Sequence, residues 1–203
     1  MRILVATKNA GKVRELERLL TDLPLRLRNL NEFPGVGDAI ESGATFAENA
    51  VLKAKSYARQ TGLWSLADDS GLEVEALGGA PGVFSARYAG AEATDEENIE
   101  KLLDELNKIS GGERRARFVC AMAICDGGGD VKYTSEAGCE GGISLTPRGS
   151  NGFGYDPVFI PDGFEQTFGE LSNETKQKIS HRARATEKII QYLRALTENS
   201  LDQ

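Results

Sequence analysis

Hydrophobic positions along the chain switch between alternation, helical spacing and short unbroken runs, and each switch marks an element boundary. Arg2 to Ala6 is an aliphatic run that predicts a buried first strand, followed by a glycine-containing turn and a helix from about Gly11 to Leu20. Leu25 to Leu30 alternates and predicts a second strand. Thr45 and Glu48 have capping-box spacing, and Phe46, Ala50, Val51, Ala54, Tyr57 and Ala58 share one face of the helix that follows. Trp64 to Ala67 reads as a strand ending at Asp68-Asp69-Ser70-Gly71, with a further short apolar segment from Leu72 to Leu77.

Thr94 and Glu97 form a second capping box, opening a helix to about Leu106 whose buried side carries Ile99, Leu102, Leu103 and Leu106. Ala116 to Cys125 predicts a long buried strand, paired with Val131 to Ala137 across Gly127-Gly128-Gly129. Glycines accumulate from Gly138 to Gly154, which predicts a loop whose backbone comes close to something. A last helix is expected from about Asn173 to Leu196, with Ile179, Ala183, Ile190, Leu193 and Leu196 as its apolar stripe. Alternating strands and helices without repeats or long linkers predict one α/β domain over residues 1–203.

Composition narrows the partners. A net charge of −7 and a pI near 4.9 argue against a nucleic-acid polymer, whose binders carry a basic surface. A small anionic substrate stays open, because a local Lys/Arg pocket can dominate the field inside a cleft. The aliphatic run at the start is too short for a signal peptide, and no apolar run reaches the ~20 residues that span a bilayer, so a soluble, cytoplasmic protein without membrane partners is expected. Cys120, Cys125 and Cys139 lack metal-ligand spacing and read as reduced thiols. With His181 the single histidine, a metal would fall to carboxylates, which favours magnesium.

Four polar clusters carry the candidate chemistry. Thr7-Lys8-Asn9-Ala10-Gly11-Lys12 follows a strand and opens a helix, so it is either an ordinary capped turn or a phosphate cradle built from helix N–H groups and two lysines. Asp68 and Asp69 repel one another unless a cation neutralises them, and on a strand only one of the two can face a given cleft. Asp69 is the favoured metal ligand and water-activating base, with Glu41 as second ligand, while an Asx-turn and a solvated surface charge are the plain alternatives. Phe153-Gly154-Tyr155-Asp156 offers rings that either stack on a purine or anchor a turn. Lys176 is within reach of a phosphate, and His181 and Arg182 at a helix start present donors suited to a base edge bearing acceptors.

These clusters, with Glu41-Ser42-Gly43-Ala44-Thr45-Phe46-Ala47-Glu48-Asn49-Ala50, Gly79 to Tyr88, and Ser180-His181-Arg182, together resemble the inosine/xanthosine triphosphate pyrophosphatase family, the RdgB-like enzymes acting on non-standard purine nucleotides. The likeness runs from Arg2 to about Leu196. It implies a long mixed β-sheet flanked by helices, forming two lobes around a central cleft. It also implies a magnesium-dependent homodimer that cleaves ITP, dITP and XTP to monophosphate and pyrophosphate.

Carried onto this chain, Thr7, Lys8, Asn9, Ala10, Gly11 and Lys12 would hold phosphates, and Asp69 would be general base and metal ligand with Glu41. Ser70, Phe153, Gly154, Tyr155, Asp156, Lys176, His181 and Arg182 would bind substrate. Lys8 and Ala183 depart from the family pattern without removing a needed donor. A pyrophosphatase for modified pyrimidine nucleotides would share the fold but lack the Ser180-His181-Arg182 reader. A nucleotide sensor would gain nothing from an acidic pair.

Overall fold

The computed structural model describes residues 1–109 and 111–199; of the expected domain 1–203, Ser110 and residues 200–203 lie outside it. Six strands hydrogen-bond into one sheet in the order β2-β1-β3-β4-β5-β6. They are β1 (Arg2–Val5), β2 (Arg26–Asn29), β3 (Trp64–Val74), β4 (Arg115–Cys125), β5 (Val131–Ile143) and β6 (Phe159–Pro161). The helices are α1 (Ala10–Leu19), α2 (Phe46–Thr61), α3 (Asp95–Asn107), α4 (Asn173–Ile179) and α5 (His181–Asn199). β1 runs parallel to β2 and β3, whereas β5 and β6 are antiparallel, so the sheet is mixed as expected.

The chain divides into two compact units, one of Met1–Asp69, Cys120–Ala137 and the segment from Arg182 onward, the other of Ser70–Val119 and Gly138–His181. In the first unit Ile3, Val5, Leu16, Leu66, Met122, Ile124, Ile189 and Leu193 form the core. In the second, Leu72, Leu102, Phe118, Val158, Phe159 and Phe168 do so, and complete burial of a Phe such as Phe159 contributes about 1.5–3 kcal/mol. The cysteines are buried thiols, with Cys120 and Cys125 in the first unit and Cys139 in the second.

Both capping boxes form. Thr45 Oγ1 accepts from the Glu48 amide at 3.2 Å and opens α2; Thr94 does the same for Glu97 and α3. Three sequence expectations are corrected. β3 does not stop at Ala67 but continues through Asp68-Asp69-Ser70-Gly71 to Val74, because distant cations neutralise the acidic pair inside the sheet. β5 likewise extends through Gly138 to Ile143, and what its glycines approach is the protein itself: a Cβ on Gly141 would lie 2.2 Å from the Ile160 carbonyl of β6. The last helix is two, broken at Ser180, whose extended backbone (φ −69°, ψ 155°) caps α4, and the buried stripe of α5 is Ala185, Ile189 and Leu193.

Candidate active site

In the first unit, the turn between β1 and α1 is held by its own side chains. Thr7 Oγ1 accepts from the Asn9 amide at 3.2 Å, and Asn9, the N-cap, accepts from the Lys12 amide at 3.1 Å. Ala10 opens the helix and Gly11 is buried beneath it. The two lysines part company: Lys8 pairs with Asp38 in solvent, whereas Lys12 turns inward to Asp68 Oδ2 at 3.2 Å.

Strand alternation separates the partners of the acidic pair. Asp68, fully buried, accepts from Lys12 and from Nε and Nη2 of Arg182 at 3.3 and 3.2 Å, and the Cys120 thiol lies 4.0 Å away. Arg182 also grips Glu15 through Nη1. Asp69 accepts from Lys53 Nζ at 2.8 Å, and the same ammonium lies 3.1 Å from Glu41 Oε2. Burial alone would raise the Asp68 carboxyl, but Lys12, Arg182 and Lys53 outweigh it and hold it well below the usual carboxylate range. For Asp69 burial wins over the pull of Lys53 and Lys12, and its carboxyl is raised from its ordinary value. Lys53 goes the other way, its burial overcome by Asp69, Asp68 and Glu41, so it is firmly protonated.

Asp69 and Glu41, expected as metal ligands, both contact the Lys53 ammonium. Their hard oxygens suit magnesium, which takes one or two protein carboxylates and completes its shell with water and phosphate oxygens. No group of three or more His, Cys, Asp or Glu residues able to hold an ion occurs among the described residues. Lys53 and Glu15 were missed by sequence reasoning. Lys53 could have been found, since it falls on the buried stripe of α2 between Ala50 and Ala54.

In the second unit, Phe153 is half-buried and its ring lies 5.0 Å from the Lys176 ammonium. Asp156, buried, accepts from the Phe153 amide at 2.8 Å and from Lys176 Nζ at 2.5 Å. His181 is buried and stacks in parallel on Phe118, ring centroids 4.6 Å apart. Ser70 is half-buried on β3.

Three residues are already engaged by the protein itself. Tyr155 is a core residue whose hydroxyl donates to the Ser85 carbonyl at 2.9 Å, so its ring anchors the turn. Lys176 is buried against Asp156, because its charge needs a partner there. Arg182 belongs with Asp68 and Glu15 in the first unit, two carboxylates having captured the guanidinium assigned to a base edge.

Residues 3–192 match the Ham1 family. The chain is 48% identical over 188 residues to a dITP/XTP pyrophosphatase of Bacillus anthracis, covering 92% of this chain and 93% of that protein. It is 50% identical over 187 residues to a protein of the same name from Geobacillus kaustophilus, with coverages of 92% and 91%. Among solved structures, a HAM1 protein from Coxiella burnetii superposes with a TM-score of 0.89 at 43% identity, over 96% of this chain and 99% of that one.

Proposed function

The chain belongs to the Ham1 family, and we propose that it hydrolyses deaminated purine nucleoside triphosphates (ITP, dITP and XTP) to the monophosphate and pyrophosphate. The decisive feature is the convergence of Asp69 and Glu41 on one buried ammonium. A site for phosphate alone is weakened by two added carboxylates; a site that takes phosphate together with a divalent cation needs them.

Asp69 and Glu41 would hold magnesium, which when bound supplies positive charge to the triphosphate oxygens. Asp69, its carboxyl raised by burial, accepts the proton of the attacking water. The water oxygen bonds to the α-phosphorus, the bond from that phosphorus to the bridging oxygen breaks, and pyrophosphate departs with the electron pair. Lys12, with the backbone from Thr7 to Gly11, binds phosphate oxygens at the start of α1. Lys53 keeps the two carboxylates together.

Arg182, fixed by Asp68 and Glu15, is assigned to the charge balance around the phosphates. The base is assigned to Phe153, for stacking, and to His181 and the backbone of Gly154 to Asp156, with Lys176 and Asp156 bracing that loop and Ser70 as a polar contact. Donors at this edge favour the O6 acceptor of hypoxanthine and xanthine and disfavour the N6 amino group of adenine.

We further propose a cytoplasmic homodimer of single-domain subunits that binds no nucleic-acid polymer. The acidic composition supports this, as does the lack, among the described residues, of a helix long and apolar enough to cross a membrane. Sedimentation of the purified protein checks the dimer. Pyrophosphate release from ITP, dITP, XTP, dUTP, ATP and GTP, with and without magnesium, tests the activity. Release from ITP and XTP that requires the metal is expected; preference for dUTP, or binding without release, overturns the assignment.

A further inference from the structure

Among the four consecutive residues Phe153 to Asp156 of the loop assigned to the base, three are held by buried groups. The Phe153 amide donates to buried Asp156, the Tyr155 hydroxyl reaches the Ser85 carbonyl, and Asp156 carries the Lys176 ion pair. Gly154 differs. It turns the chain at φ +60°, and a Cβ built on it meets nothing within 4 Å, so no side chain of its own anchors it. Its amide donates to Asp95 Oδ2 at 2.6 Å, a charge-assisted hydrogen bond between residues 59 positions apart. Asp95 is the first residue of α3, and the capping bonds of that helix are made by Thr94 and Glu97. Asp95, Phe153 and Gly154 line one cavity of about 600 Å³, floored by Ile99, Leu103 and Pro157.

We propose that Asp95 is a positioning residue for substrate selection: by holding the Gly154 amide it fixes the orientation of the Phe153 ring and thereby the affinity for the purine base. The proposal rests on the assignment of Phe153 to Asp156 to the base. A glycine flanked by anchored residues has two backbone dihedrals free to pivot, and an external acceptor on its N–H removes that freedom before the ligand arrives. The expected signature is therefore a change in substrate affinity without a change in the chemical step.

The test compares Asp95→Ala, which removes the acceptor, with Asp95→Asn, which keeps a neutral one. Asp95→Ala should raise KM for ITP and XTP by about 10-fold, the loss expected for a hydrogen bond to a charged group, and leave kcat within about 2-fold. Inhibition by inorganic triphosphate should be unchanged, amide exchange at Gly154 should accelerate, and Asp95→Asn should recover most of the KM. Unchanged KM in Asp95→Ala, equal weakening of ITP and inorganic triphosphate, or an Asp95→Asn protein as impaired as Asp95→Ala would each overturn the assignment. A wild-type enzyme that releases no pyrophosphate from ITP or XTP would remove the proposed function itself; an active wild type with an unaffected Asp95→Ala removes only the role of Asp95.

Discussion

The surroundings of Asp68 and those of Asp156 both bury a carboxylate against a cation, yet they are built on different plans. Around Asp68 and Asp69, several charges meet: Lys12 and Arg182 on Asp68, Glu15 on Arg182, and Lys53 between Asp69 and Glu41. Asp156 instead pairs with Lys176, whose ammonium lies among the rings of Phe153 and Phe168. The first region is a crowd of opposite charges; the second sets its charges among aromatic rings. Changes of charge should therefore damage the first most, and changes of contour the second.

The largest effect is expected from Asp68→Ala, which leaves Lys12 and Arg182 buried beside a lost partner and should cost about 3–5 kcal/mol in chemical denaturation. A loss below about 1 kcal/mol would erase the contrast, since that is the level of a surface pair. The same pairing has an acid signature in metal-free protein. A carboxyl held below its unfolded value of about 3.9 stabilises fully above that pH and loses its contribution as pH falls through the folded value. Stability measured down the acid range should decline over that window in the wild type and less steeply in Asp68→Asn.

Next comes Asp69→Asn, which keeps size but removes the proton acceptor; turnover should fall at least ~10²-fold while circular dichroism stays native. Turnover close to wild type would move the base elsewhere. Phe153→Ala probes the second region by contour alone and should raise KM for ITP about 10-fold, within the worth of one stacked base, with inorganic triphosphate binding as before. Lys12→Ala should instead weaken ITP and inorganic triphosphate alike. The smallest effect belongs to Lys8→Ala, at most about 2-fold in KM, because its pairing with Asp38 is exposed and screened by solvent. A larger loss would return Lys8 to the phosphate cradle as an equal of Lys12.

Much of this was legible in the chain, and the failures share a cause. The starts of α2 and α3 were placed to within a residue because their capping boxes are local, each satisfied within one helical turn. β3 was cut short because acidic residues read as a strand exit, whereas their neutralising partners, Lys12, Lys53 and Arg182, come from other elements. The break at Ser180 carries no proline or glycine to announce it. Within the site, the joining of Glu41 and Asp69 was readable from residue type and setting, but the capture of Arg182 by Asp68 and Glu15 was not, since it depends on which carboxylates the fold brings nearest. Lys53 teaches the more general lesson that a charged residue on an apolar helical stripe marks a buried partner.

The buried thiols make the molecule its own unfolding clock. Burial, reinforced by the nearby Asp68 charge, pushes the Cys120 thiol up to about 12, and burial raises that of Cys125 as well. Almost no thiolate exists at neutral pH, so an alkylating reagent reacts only with molecules whose core has opened. Two of these cysteines report on one compact unit and Cys139 on the other. Pulse alkylation followed by peptide mass spectrometry would therefore time the opening of each half separately, without a label, a mutation or a substrate.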